Sequence, residues 1–166
     1  MQKELPIRKK IRLEGYDYSS AGYYWITICV EDCHAMLGRV VVGDAPLRVP
    51  VVELTEYGVF VEEQIQKISH IYPHVLIDKY VIMPNHIHMI AVVKDGTRRG
   101  ASPTKAVIPQ IVQSMKSMTT RKFGFDIWQR SYHERILRNE EEYRVRWQYT
   151  DNNPANWAED DYFVKK

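Results

Sequence analysis

The stretch VLIDKYVIMPNHIHMIAVV, residues 75–93, decides the fold. β-Branched and apolar residues on both sides of Pro84-Asn85 predict two strands, 75–83 and 86–93, joined by a turn. After His88 the second strand is apolar on both faces, which is typical of a strand in the middle of a sheet. We therefore expect this strand to lie centrally, with a layer of helices against at least one face.

Two histidines, His86 and His88, stand at the start of this second strand. Side chains alternate between the two faces of a strand, so both imidazoles lie on one face, about 6.6 Å apart along the chain. Neutral imidazole is the commonest metal ligand, and a pair at a strand end can converge on one divalent cation. The pair predicts a metal centre suited to phosphate chemistry, with two structural histidines as the alternative.

The remaining sequence predicts an α+β fold, a ferredoxin-like βαββαβ sandwich with an antiparallel sheet and an added C-terminal helix. Aromatic and β-branched residues mark a first strand at 23–30. Shorter β-prone runs at 36–42 and 47–52 predict a hairpin-like excursion around Gly43–Pro46. A short fourth strand is expected at 126–129.

Three helices are indicated by apolar spacing and by capping residues. The first ends before Pro73 and has the apolar positions Leu54, Gly58, Val61, Ile65 and Ile68. The second has Pro109 in its first turn, Gly124 after its end, and the apolar positions Ile108, Ile111, Val112, Met115 and Met118. The third begins at Asn139, an N-cap followed by three glutamates, and ends near residues 152–154.

Length and composition predict one domain, residues 1–166, with a core at about 20–157 and a basic N-terminal segment at 1–19. The chain is 45% hydrophobic and 27% charged, as ordinary globular proteins are. No apolar stretch reaches the length of a membrane span, and residues 1–12 are basic and polar, unlike a signal peptide. Two cysteines, Cys29 and Cys33, make no disulfide framework. We expect a cytoplasmic protein with no membrane partner.

Positive charge is concentrated in one region of the chain. Residues 97–125 contain no acidic residue and six basic ones, Arg98, Arg99, Lys105, Lys116, Arg121 and Lys122. Such a segregated basic stretch is typical of a protein that binds a polyanion. The alternative is a charged surface that contacts only solvent. With Arg130 these residues are candidate phosphate contacts, and Trp128 and Tyr132 are candidates for stacking on unpaired bases.

A metal that polarises a phosphodiester needs a nucleophile beside it. Tyr149 lies near the end of the last helix, and Asn153 follows one turn later on the same face. A tyrosine can form a covalent intermediate, and the amide oxygen of Asn153 is a hard ligand suited to Mg²⁺ or Mn²⁺. By spacing alone, Tyr132 and Tyr143 compete with Tyr149 for this role.

Four blocks occur in the order seen in a known group of enzymes. They are Pro-Asn-His-Ile-His at 84–88, Phe-Asp-Ile-Trp-Gln-Arg-Ser-Tyr-His at 125–133, Arg-Asn-Glu-Glu-Glu at 138–142 and Tyr-Thr-Asp-Asn-Asn-Pro at 149–154. Over residues 20–157 the chain resembles the REP-associated tyrosine transposases, which belong to the single-tyrosine HUH transposases. It departs from their usual pattern at Thr150, where an apolar residue is expected.

The resemblance implies an enzyme that cuts and rejoins single-stranded, hairpin-containing DNA through a 5′-phosphotyrosine intermediate. It implies His86 and His88 as the HUH pair, Tyr149 as the catalytic tyrosine with Tyr132 in reserve, and Asn153 as a further ligand of Mg²⁺ or Mn²⁺. A homodimer and a monomer are both compatible with it. Two alternatives remain open: a non-catalytic single-strand nucleic-acid-binding module of RRM type, and a decayed transposase that binds DNA without cutting.

Overall fold

A computed structural model describes residues 21–42, 49–94 and 106–164. The strands and helices, in chain order, are β1 Gly22–Cys29, β2 Gly38–Val42, β3 Pro50–Leu54, α1 Glu56–Ile71, β4 Val75–Ile82, β5 His86–Val93, α2 Val107–Phe123, β6 His133–Leu137 and α3 Glu140–Asn152. Short 3₁₀ turns follow β1 and α3, at Glu31–Cys33 and Trp157–Glu159.

The main sheet has four strands in the order β4-β5-β1-β6, and every neighbouring pair is antiparallel. β1 and β4 lie on either side of β5 and are linked through α1, which is the split βαβ arrangement of the ferredoxin-like fold. The predicted fold class is confirmed. The central position predicted for β5 is confirmed as well.

The two faces of this sheet have different cover. On one face the β1 and β5 side chains, among them Ile26 and Met89, form the hydrophobic core with α1 and α2. This core includes the predicted helix positions Val61, Ile65, Ile68, Ile108, Ile111, Val112 and Met115. The other face carries Trp25 and His88, and α3 packs on it through Tyr149. The histidines therefore lie between the sheet and α3.

The hairpin excursion is also present. β2 and β3 pair in an antiparallel two-stranded sheet of their own, while the Gly43–Pro46 turn lies outside the described residues. Leu54 ends β3 instead of starting the first helix, because Thr55 caps α1 by accepting a hydrogen bond from the Gly58 amide. Gly58 is required at this point, since a Cβ there would lie 2.0 Å from the Leu37 carbonyl oxygen.

Two predictions about the second half were wrong. Residues 126–129 form no strand: Trp128 makes one isolated bridge to Val30, and the Asp126 carboxylate turns the chain by accepting from the Trp128 amide. The fourth strand is β6 instead, which lies at the edge of the sheet and, of the described strands, pairs with β1 alone. In α2, Met118 is 39% exposed, and Thr119 is the buried residue at that turn.

The ends of α2 and α3 follow the sequence signals. Pro109 lies in the first turn of α2, and Gly124 ends that helix with φ 81°. Asn139 caps α3 by accepting from the Glu142 amide at 2.8 Å. Among the residues that the structure describes, no helix is both long and apolar enough to cross a bilayer.

Candidate metal and tyrosine site

His86 and His88 form a buried imidazole pair at the start of β5. Their ring centroids lie 4.5 Å apart, and both side chains are fully buried. In each ring the Nε2 atom has no hydrogen-bond partner among the described residues. A buried polar atom without a partner costs about 1–3 kcal/mol of stability, so two of them side by side indicate a site built for a ligand.

Neighbouring side chains hold each ring at its Nδ1 atom, and in His86 they also fix the tautomer. His88 Nδ1 lies 2.7 Å from the Thr27 hydroxyl, and His86 Nδ1 lies 2.9 Å from Asn85 Oδ1. The Asn85 amide nitrogen donates to the carbonyls of Cys33 and Tyr162, so its oxygen is the atom that faces His86. His86 Nδ1 must therefore donate its proton to Asn85, which leaves the Nε2 lone pair available.

Electrostatics keeps both histidines neutral. Burial lowers the pKa of His86 to about 4, against the opposing effects of Asp160 and Asn153. Burial, followed by the proximity of His86 and Arg146, lowers the pKa of His88 well below its usual value. Since neutral imidazole is the form that binds a metal, both rings are ready as ligands at neutral pH.

Two oxygen donors lie beside the histidines. Asn153 is 2% exposed; its amide nitrogen donates to Asp160 Oδ2 at 2.6 Å, and its Oδ1 has no partner. One ligand atom from each of His86, His88 and Asp160 lies within 4.8 Å of the others. Two imidazole nitrogens, an amide oxygen and a carboxylate form a donor set that fits a divalent cation.

Asp160 was not among the site residues that the sequence predicted. The structure gives this one carboxylate three partners, because Oδ2 accepts from Tyr149 and Asn153 while Oδ1 accepts from the Tyr162 amide. Nothing in the local sequence separates Asp160 from Asp161, which follows it.

Tyr149 reaches the histidine pair from α3. Its ring centroid lies 5.4 Å from that of His88, and its hydroxyl donates to Asp160 Oδ2 at 3.0 Å. Burial and the negative charge of Asp160 raise the pKa of Tyr149 to about 12. Thr150, the departure from the resembled pattern, is fully buried, and its hydroxyl donates to the Arg146 carbonyl.

Arg146 is a second residue that the sequence did not reveal. It lies one turn before Tyr149 on the same side of α3, and its guanidinium carbon is 4.2 Å from the centroid of the Trp25 ring. The same carbon is 5.9 Å from the centroid of the Tyr149 ring. The Trp25 ring in turn stacks on His88 at 4.7 Å. A permanent positive charge is therefore held next to the phenol and the metal candidates.

The two competing tyrosines lie elsewhere. Tyr132 donates to Glu134 at 3.0 Å, and Glu134 pairs with Ile26 on the sheet face that packs against α1 and α2. Tyr143 donates to Asp78 at 2.6 Å. Of these three phenols, Tyr149 is the one that the structure places beside His88.

The candidate DNA contacts divide into several groups. Trp128 is 3% exposed in the core, so its ring offers no surface to a base, contrary to the prediction. Lys116 donates to the Gln129 and Ser131 carbonyls and so holds that loop instead of facing solvent. Arg121, Lys122 and Arg130 are exposed. Arg98, Arg99 and Lys105 lie outside the described residues.

The segment after α3 covers the imidazole pair. The Tyr162 ring lies 4.6 Å from the His86 ring, and Trp157 lies 6.0 Å from it. The same segment supplies Asp160. The site is therefore bounded by β1, β5, α3 and residues 157–163.

Comparison with known proteins gives a relative and a shared fold. No protein-family model matches the chain. An uncharacterized protein of Haemophilus influenzae is 33% identical over 175 residues, which covers 95% of this chain and 93% of that protein. The solved structure of a REP-associated tyrosine transposase bound to a REP hairpin shares the fold, with a TM-score of 0.61 and 21% identity over 88% of this chain and 74% of that one. A looser match is a proposed transposase from Deinococcus radiodurans, with a TM-score of 0.46 and 17% identity, which covers 85% of this chain and 95% of that one.

Proposed function

The chain belongs to the same family as the Haemophilus influenzae protein, and we propose that it is a transposase that cleaves and rejoins single-stranded DNA. The shared fold with a REP-associated tyrosine transposase supports this proposal. The observation that carries it is the convergence of Tyr149, Asp160 and the unpartnered Nε2 atoms of His86 and His88 in one pocket. By the same reasoning its DNA partner contains hairpins, as the ligand of that transposase does.

In this proposal His86, His88, Asn153 and Asp160 hold Mg²⁺ or Mn²⁺. The bound cation supplies Lewis-acid polarisation of a non-bridging phosphate oxygen. The atoms that support the assignment are those without hydrogen-bond partners among residues 21–42, 49–94 and 106–164, namely His86 Nε2, His88 Nε2 and Asn153 Oδ1.

Tyr149 is the proposed nucleophile. Its phenol oxygen attacks phosphorus and passes its proton to Asp160, whose carboxylate already accepts that hydrogen bond. The P–O3′ bond breaks, a 5′-phosphotyrosine forms, and the 3′ oxygen leaves and takes a proton from water. Attack of a DNA hydroxyl on the phosphotyrosine reverses the linkage, so no nucleotide cofactor is consumed.

Arg146 stabilises charge in this step. A free phenol has a pKa of about 10, and here burial and Asp160 raise it further. The Arg146 guanidinium beside the Tyr149 ring lowers the pKa of that phenol and so opposes the rise. A DNA phosphate at the site would be an anionic partner for the guanidinium. Within the described part of the chain, no ion pair occupies this guanidinium.

The proposal also explains why a simple binding module fits less well. RRM-type modules bind nucleic acid on an open sheet face. Here that face is covered by α3, and the residues beneath it are a polar, partly unpartnered group. A decayed transposase that binds without cutting remains the second outcome of the test below.

The test is the formation of a covalent protein–DNA adduct. We expect end-labelled, hairpin-containing single-stranded DNA and Mn²⁺ to give a band that resists denaturation. The Tyr149→Phe variant should give none, because it lacks the attacking oxygen, and Tyr132→Phe should give as much as the unchanged protein. An adduct that survives Tyr149→Phe and disappears in Tyr132→Phe would reverse the assignment. Light scattering on the same sample decides between monomer and homodimer.

A further inference from the structure

A cavity lies at the other end of the sheet face that carries the histidines. It has a volume of about 420 Å³ and is lined by Tyr23, Leu137, Arg138, Asn139, Glu140 and Tyr143. We call it the tyrosine cavity. It contains the start of the Arg-Asn-Glu-Glu-Glu block at 138–142, to which the proposed chemistry gives no role.

The position of the tyrosine cavity connects it to the metal and tyrosine site. Tyr23, Trp25 and Thr27 alternate onto the same face of β1, and Thr27 pairs with His88. Tyr23 and Thr27 are four residues apart, so the cavity lies about 13 Å from the histidine end, a span that a few nucleotides of extended single strand cover. Trp25, with the Arg146 guanidinium over its ring, lies between the two.

The walls of the cavity suit a base better than a phosphate. Tyr23 is 45% exposed and makes an edge-to-face contact with Tyr143 at 5.3 Å, so the two rings form an aromatic wall open to solvent. The positive charge of Arg138 is already paired with Glu142 at 3.0 Å. In the described part of the chain the carboxylate of Glu140 has no hydrogen-bond or ion-pair partner.

We propose that the tyrosine cavity binds one unpaired nucleobase that carries an exocyclic amino group. The inference rests on the proposed function, which brings a single strand to the metal and tyrosine site near the cavity. The base stacks on the Tyr23 and Tyr143 wall, and its amino group donates to the Glu140 carboxylate. A carboxylate only accepts hydrogen bonds, and adenine, cytosine and guanine can each donate an exocyclic amino group to it, whereas thymine has no amino group and offers only its N3–H, at a different position on the ring edge.

Binding of hairpin oligonucleotides in EDTA tests the inference. Each hairpin carries single-stranded flanks of dA, dC, dT or abasic residues, and fluorescence anisotropy gives its Kd. We expect the unchanged protein to bind dA and dC flanks about tenfold more tightly than abasic or dT flanks. Tyr23→Ala should remove this preference, Tyr23→Phe should keep it, and Glu140→Gln should bring dT close to dA, because an amide can donate to thymine O4.

Phe125→Ala is the matched control. Phe125 is 46% exposed, about as much as Tyr23, but it contacts Tyr57 of α1, on the opposite side of the sheet from the tyrosine cavity. The control variant should leave every preference unchanged, and circular dichroism confirms that each variant is folded. Equal affinity for dA and abasic flanks, or a preference that survives Tyr23→Ala, overturns the inference. Adduct formation in Mn²⁺ is measured in parallel. If an adduct forms but no base preference is seen, the base-binding role of the tyrosine cavity is refuted and the proposed function stands. If a Tyr23-dependent base preference is seen but no adduct forms, the transposase chemistry is refuted and the base-binding role stands.

Discussion

Neighbouring residues of β5 serve the two faces of the sheet very differently. Ile87 and Met89 point into the core formed with α1 and α2, whereas His86 and His88 point towards α3. All four side chains are fully buried. Ile87 and Met89 remove only apolar surface from solvent, while His86 and His88 lose the hydration of nitrogen atoms that have no hydrogen-bond partner in the described part of the chain. The face covered by α1 and α2 therefore contributes stability. The face covered by α3 holds nitrogen atoms that can bind a ligand, and burying them without a partner reduces stability.

The covering elements repeat this difference. α1 and α2 each bury an apolar stripe, whereas Thr150 is the only buried residue of α3. α3 is held by polar contacts instead, among them Tyr143 with Asp78, Lys79 with Asp151, and Arg146 over Trp25. Substitutions on the sheet face covered by α3 should therefore change activity more than stability. Substitutions on the face covered by α1 and α2 should change stability more than activity.

The largest effect should come from removing one imidazole. His88→Ala deletes a donor atom of the metal centre, so we expect adduct formation in Mn²⁺ to fall at least about a thousandfold. Mn²⁺ should raise the Tm of the unchanged protein, because a ligand that binds only the folded state stabilises it, and should leave the Tm of this variant unchanged. Gel assay and calorimetry measure the two quantities.

The control for that experiment is His70→Ala, which removes an exposed imidazole at the end of α1. It should keep both the adduct and the Mn²⁺-dependent rise in Tm. Equal behaviour of His70→Ala and His88→Ala would mean that His88 holds no metal.

Ile87→Ala tests the opposite face through the residue between the two histidines. It leaves a cavity in the core, so we expect the free energy of unfolding to fall by about 2–5 kcal/mol. The adduct yield per folded molecule should stay within about twofold of the original, because no donor is removed. Urea unfolding and the adduct assay at low temperature check this. A large fall in yield from a fully folded sample would show that the two faces are not independent.

Asp160→Asn should have a smaller effect on activity. It removes the proton acceptor of Tyr149 and one candidate metal ligand while keeping the size of the side chain. We expect the adduct rate to fall about ten- to a hundredfold. Asp161→Asn is the matched control, since the neighbouring carboxylate has no part in the donor cluster, and its rate should be unchanged. Equal losses in both variants would refute the role of Asp160.

The sequence predicted those parts of the site that depend on local periodicity. Alternation along one strand placed His86 and His88 on the same face, and helical spacing placed Tyr149 and Asn153 one turn apart. Asp160 was not predictable in this way, because its contacts with Tyr149 and the histidines arise only when the chain turns back after α3. Arg146 was hidden for a similar reason, since only the packing of α3 on β1 brings it to Trp25.

The same limit explains the misplaced fourth strand. β6 begins with His133, Glu134 and Arg135, and such polar residues are tolerated because it is an edge strand with a single partner. Trp128 and Ile127 looked more strand-like, but they are buried as a loop that packs into the core. The apolar character of the sequence therefore did not distinguish a buried loop from a strand in this region.

Thr27→Val gives the smallest expected effect and tests how the donors are held. The hydroxyl of Thr27 lies on β1 opposite His88 and contacts its Nδ1 atom, so valine, which has a similar shape, removes the contact that orients the ring. We expect the affinity for Mn²⁺ to fall about tenfold, because such outer contacts orient metal ligands. Thr119→Val is the control on the other face, where an equally buried hydroxyl donates to the Met115 carbonyl. Both variants lose one buried hydrogen bond and should lose similar stability, of about 1 kcal/mol, but only Thr27→Val should weaken Mn²⁺ binding in a calorimetric titration. If both weaken it equally, the contact between Thr27 and His88 serves packing alone, and the difference between the two faces does not extend beyond the donor atoms themselves.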